Sequence, residues 1–196
     1  MTKGRLEAFS DGVLAIIITI MVLEIKVPHG TSLQSLQSLW PVFLSYVLSF
    51  INIGIYWNNH HHMLYITQKV NGSVMWANIH LLFWLSLFPF VTGWMGENHF
   101  ATWPVALYGI IACMAGIAYY FLAHCLANIH GKDSRLAIAL GKDRKGIISV
   151  VLYIIGIGLS FLYTEVALAI YVLVAMLWFI PDKRIEKIYK QETPHE

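Results

Sequence analysis

Six apolar stretches run through this chain, at roughly 6–26, 38–63, 74–95, 102–127, 146–163 and 165–181, each near the length that crosses about 30 Å of hydrocarbon. Lipid offers the backbone no hydrogen-bond partners, so each stretch must satisfy its own N–H and C=O groups, and that makes it a helix. Breakers fall between the stretches: Pro28-His29-Gly30, Asn71-Gly72-Ser73, Gly96-Glu97-Asn98, Gly131 and Gly141, and the tight turn at Tyr163-Thr164-Glu165. Composition agrees, with 58% hydrophobic and 12% charged residues, against about 25% charged in a typical soluble domain. The expected fold is therefore an all-α integral membrane protein with six transmembrane helices per subunit. Residues 1–181 form the six-span domain and 182–196 a polar cytoplasmic tail. The last two stretches are short and pair as one steep hairpin.

Basic residues set the orientation. Of the 13 lysines and arginines, all but Lys26 fall on one side if six spans alternate. That bias predicts a multi-pass protein of the cell membrane with both termini in the cytoplasm. Trp40, Trp94 and Trp103 sit at expected outer ends, where an aromatic belt belongs. Leu23 is followed by Glu24-Ile25-Lys26-Val27-Pro28, without a small-residue cleavage site, so the first span should be retained. Cys113 and Cys125 lie about 18 Å apart along one helix, too far to bridge. Small residues at Gly109, Ala112, Ala115, Gly116 and Ala123 let the fourth span pack closely. A net charge of +2 gives no reason to expect a nucleic-acid partner.

The first span opens Arg5-Leu6-Glu7-Ala8-Phe9-Ser10-Asp11-Gly12 and then runs apolar from Val13 to Leu23, with Thr19 its one polar side chain. A carboxylate facing lipid costs roughly 2.5–3.5 kcal/mol even on the lenient insertion scale, so Asp11 should face protein or a water-filled path. At about 100° per residue, Gly12, Ile16, Thr19, Ile20 and Leu23 share one longitudinal stripe, with Asp11 beside it. Such a stripe either is ordinary core or lipid-facing surface, or lines a narrow axial path. The second reading needs several copies about a symmetry axis, because one small subunit has few helices to enclose a path. Aliphatic rings gate by dewetting when narrow, and no T-V-G-Y-G filter occurs in the chain. Thr19 has the competing role of bonding back to its own helix carbonyl. Glu24 and Lys26 stand at the outer mouth, as a solvated rim or a weak cation-attracting ring.

Span 2 ends in Trp57-Asn58-Asn59-His60-His61-His62, and span 3 begins with Trp76, Asn78 and His80. These share the inner end with Arg5 and Asp11. A clamp of Arg5, Asp11, one histidine of span 2 and a tryptophan N–H would satisfy the buried polar groups; an ion-entry or proton-sensing role is the alternative. Consecutive histidines point about 100° apart on a helix, so His60, His61 and His62 cannot share a metal, and no metal or other cofactor is expected.

Arg5-x-x-x-Phe9-Ser10-Asp11, followed by Ala15-Ile16 and Thr19 and by the Trp57-to-histidine cluster, resembles the R-x-x-x-F-S-D signature of the endolysosomal potassium channel family called transmembrane protein 175. The single six-span unit is similar to the prokaryotic members. The resemblance implies a homotetramer in the lipid bilayer, passing K+ through a pore lined by the first helices, with no small-molecule substrate and no enzymatic step. It implies a constriction at Ile16, further rings at Ile20 and Leu23, a pore-side Thr19, and a packing signature of Arg5, Phe9, Ser10 and Asp11. His60, His61 and Trp76 are grouped with that signature at the inner end. The rival expectation is a proton-coupled secondary transporter using Asp11 and the span-2 histidines as a relay. A membrane enzyme or a non-conducting assembly module fits the pattern less well.

Overall fold

The computed structural model describes residues 2–131 and 144–179. The expected tail at 182–196 and the basic residues Lys132, Arg135 and Lys142 lie outside the described residues. Within them the regular structure is all helical: α1 (Lys3–Leu23), α2 (Leu33–Gln37), α3 (Trp40–Tyr65), α4 (Gly72–Ser86), α5 (Phe88–Glu97), α6 (Thr102–His130), α7 (Arg144–Leu159) and α8 (Thr164–Phe179). Four helical segments are long and apolar enough to cross a membrane: α1, α3, α4 with α5, and α6. Helices α7 and α8 are apolar but shorter, at 16 residues each.

Two elements depart from the sequence pattern. The five-residue α2 occupies the connection after span 1, where no helix was expected. The third stretch is two helices meeting at Leu87, and Pro89 explains the break. Proline donates no backbone hydrogen bond, and its ring crowds the carbonyl four residues back. At the other end of this stretch Asn71 caps α4, its side chain accepting from the Val74 N–H at 3.0 Å.

Consecutive long helices run antiparallel, and α1 runs parallel to the α4–α5 segment, as their cross-links record. At one end of the molecule Lys3 Nζ donates to the Tyr65 carbonyl at 3.1 Å. Nearby, the Gln68 and Lys69 N–H groups donate to His130 Nε2 at 3.1 and 3.3 Å. At the opposite end Lys26 pairs with Glu97. The hydrogen bond to Glu97, and then its charge, hold the Lys26 ammonium above its usual range. Helix α6 forms the spine of the core, with Tyr108, Ala112, Ala115, Ala118 and Leu122 all buried. Its glycine at 109 admits the Tyr171 ring of α8, where any Cβ would collide with that ring and with Ile157. Cys113 and Cys125 are both unbridged.

A candidate pore-lining face

Helix α1 packs against α3, α4 and α5 through Leu6, Ser10, Leu14, Ile17 and Met21, which are all buried. The three-and-four spacing of these residues makes one seam. The opposite side of α1 is largely exposed among the described residues. Ile16 is 58% exposed, Ile20 41% and Leu23 79%. Thr19 is exposed, and a Cβ on Gly12 would meet no atom within 4 Å. The stripe read from helical angles is thus a bare, aliphatic strip on the surface of the folded subunit. Arg5 and Phe9 lie on the same side and are exposed as well. Thr19 Oγ1 donates to the Ile16 carbonyl at 2.9 Å, so its hydrogen is engaged while its lone pairs remain accessible.

Asp11 and Ser10 are adjacent in sequence but have different partners. Asp11 is exposed in the subunit, and its Oδ1 accepts the Trp57 indole N–H at 3.1 Å. His61 stacks on Trp57 with ring centroids 5.9 Å apart. Ser10 is fully buried and accepts from Asn78 Nδ2 at 2.9 Å, while Asn78 Oδ1 lies 2.8 Å from His60 Nε2. The expected single clamp is therefore two devices: Asp11–Trp57–His61 at the surface and Ser10–Asn78–His60 inside. Arg5 joins neither through its side chain among the described residues, and Trp76 is 73% exposed, away from both.

A second buried polar group escaped the sequence reading. Ser49 and Thr92 share a hydrogen bond of 2.6 Å, and Tyr108 Oη lies within 3.3 Å of both Ser49 Oγ and Asn52 Nδ2. Its signal was present as Ser45, Ser49, Asn52 and Asn59, which fall on one face of α3 at three-and-four spacing. At the Lys26 end, Glu24, Lys26 and Glu97 line an open depression with Leu39 and Val42. Among the described residues no group of three metal-ligating side chains comes together.

The endosomal/lysosomal potassium channel TMEM175 family model matches residues 5–89, which carry α1 and the two devices beneath it. A potassium channel of Chryseobacterium sp. (strain P1-3) is 58% identical over 191 residues, covering 97% of this chain and all of that protein. The endosomal/lysosomal proton channel TMEM175 of Gallus gallus is 41% identical over 81 residues, 35% of this chain and 16% of that one. Among solved structures, the crystal structure of a lysosomal potassium-selective channel TMEM175 homologue from Chamaesiphon minutus superposes with a TM-score of 0.80 at 29% identity. It covers 92% of this chain and 97% of that one.

Proposed function

This chain belongs to the TMEM175 potassium-channel family, and from that premise we propose that it is a passive, potassium-permeable cation channel whose pore is built by α1. Homologues over nearly the whole chain are potassium channels, so K+ is the permeant ion of first choice. The observation that carries the pore assignment is the bare face of α1. A strip of Ile16, Ile20 and Leu23 left uncovered by its own subunit must be covered by lipid, by another copy, or by a pore. Asp11 decides among these, because its carboxylate lies beside the strip with only Trp57 to hold it among the described residues, and lipid is an expensive neighbour for a carboxylate.

Four copies around one axis, in the cell membrane with both termini cytoplasmic, bring the strips together. Ile16 then forms the narrowest ring, with Ile20 and Leu23 nearer the outer mouth. Such rings supply no ligands to replace an ion's hydration shell. They act by bore width, closing through dewetting when narrow and passing partly hydrated cations when wider. Thr19 offers the one side-chain oxygen among them. No chemical step and no cofactor take part. The proton-coupled transporter reading is less well supported, because Asp11 and His60 are held by different partners and do not form a relay with each other.

The test is Ile16→Asn in reconstituted liposomes. A polar ring at this position should wet the constriction, raise leak and reduce the preference for potassium over sodium by several-fold. Unchanged current and reversal potential would remove Ile16 from the pore. A parallel pH gradient separates potassium flux from proton flux, and the mass of the purified protein in detergent tests the tetramer.

A further inference from the structure

The buried face of α3 is polar along its length, carrying Ser45, Ser49, Asn52, Asn59 and His60. Toward the Trp40 end these groups are paired through Ser49, Thr92 and Tyr108, and toward the other end through His60 and Asn78. Between the two groups lies a cavity of about 40 Å³ that α3 shares with α6, α7 and α8. It is well away from the bare face of α1. Asn52, Tyr56, Asn59, Ser149, Tyr153 and Trp178 are on its walls.

Four oxygens on those walls lack partners among the described residues. Asn52 and Asn59 use their amide nitrogens, on the Leu48 carbonyl and Tyr108 Oη and on the Ile55 carbonyl respectively, and leave their Oδ1 atoms free. The hydroxyls of Tyr56 and Tyr153 make no hydrogen bond to a described residue, although Tyr153 is only 4% exposed. On the same wall Ser149 is engaged, accepting from Trp178 Nε1 and donating to the Lys145 carbonyl, both at 2.8 Å. Unpaired buried oxygens are destabilising, and native interiors rarely keep several together. A cavity with such oxygens on its wall normally resolves this with water, which needs about 10–15 Å³ per molecule and two to four polar partners. The space fits about three.

We propose that each subunit holds an internal water cluster here, bridging the two asparagine carbonyls of α3 to the tyrosine hydroxyl of α7. Its ligand is water rather than a cation, because the lining residues are all neutral and no carboxylate balances a charge. The α7–α8 hairpin is then seated partly on hydrated contacts, beside the dry packing of Tyr171 at Gly109.

X-ray radiolytic footprinting of the full chain in lipid nanodiscs tests this, because hydroxyl radicals born on bound water label the nearest side chains. Tyr153 and Tyr56 should label several-fold faster than Tyr108, which is buried and hydrogen-bonded, and their rates should resist a bulk radical scavenger. Labelling no faster than that of Tyr108, or labelling abolished by the scavenger, overturns the proposal. Gly116→Ala supplies the second arm. Its added Cβ would sit 3.7 Å from Tyr56 Oη, an ordinary contact inside the cavity. Tyr56 labelling should fall about twofold or more while potassium flux is kept. Unchanged Tyr56 labelling in this variant, once folding is verified by its thermal transition, also overturns it.

Discussion

At the scale of single residues, position around the helix decides which partner a polar group finds. Ser10 and Asp11 are one residue apart and about 100° apart in angle, so the serine enters the core and the aspartate meets Trp57 at the surface. The same rotation separates buried His60 from His61, which stacks on Trp57. Ser10→Ala leaves a buried Asn78 N–H without its acceptor and should destabilise by about 1–3 kcal/mol. Trp57→Phe removes a bond to an exposed carboxylate and should cost less in the subunit. Thermal unfolding in detergent ranks the two, and the opposite ranking would make the surface pair the structural one. The sequence made part of this cluster legible, Asp11 with a tryptophan N–H above all, but not its partition, and Arg5 lies outside both pairs among the described residues. Helical angles were applied to the stripe on α1, while the inner-end polar groups were taken together by their depth in the membrane. Depth is set by sequence position alone; partnership also needs the faces that neighbouring helices turn toward one another.

At the scale of helices, close approach is set where a side chain is missing. A Cβ on Gly96 would lie 2.6 Å from the Cα of Val42, so the end of α5 touches α3 backbone to backbone. Backbone cannot rotate away as a side chain can, and Gly96→Ala should destabilise by about 1–3 kcal/mol. Gly12→Ala, with open space around it, should leave stability within about 0.5 kcal/mol. Equal losses in the two variants, read from the same unfolding transitions, would mean that Gly12 is packed in the assembled protein. The four long membrane-capable segments were legible because long runs of apolar residues show in the sequence directly. The break at Leu87 was not, although Pro89 marks it, because apolarity continues through it and the sequence reading followed apolarity. The polar face of α3 was missed for a related reason: Ser45, Ser49 and Asn52 are scattered among larger apolar side chains and become a group only when wrapped on a helix.

At the scale of the whole molecule, the depression at the Lys26 end carries two carboxylates to one ammonium. In the proposed ring of copies these acidic groups would repeat around the outer mouth and raise the local cation concentration. Glu24→Gln should lower single-channel conductance at about 10 mM salt and leave it nearly unchanged at about 1 M, where the Debye length falls to about 3 Å. Loss of conductance at both salt concentrations would make Glu24 a structural residue. If the aliphatic strip on α1 lines the pore as proposed, it also gives this protein a pharmacology of its own. On the proposed pore assignment, a wall of Ile16, Ile20 and Leu23, all exposed in the subunit, would offer no anionic handle to a blocker, so potency within a series of alkylammonium ions should follow tail length more than head-group charge. Each methylene taken out of water is worth about 0.8 kcal/mol, which makes a tail longer by one carbon about fourfold more potent until the bore is filled.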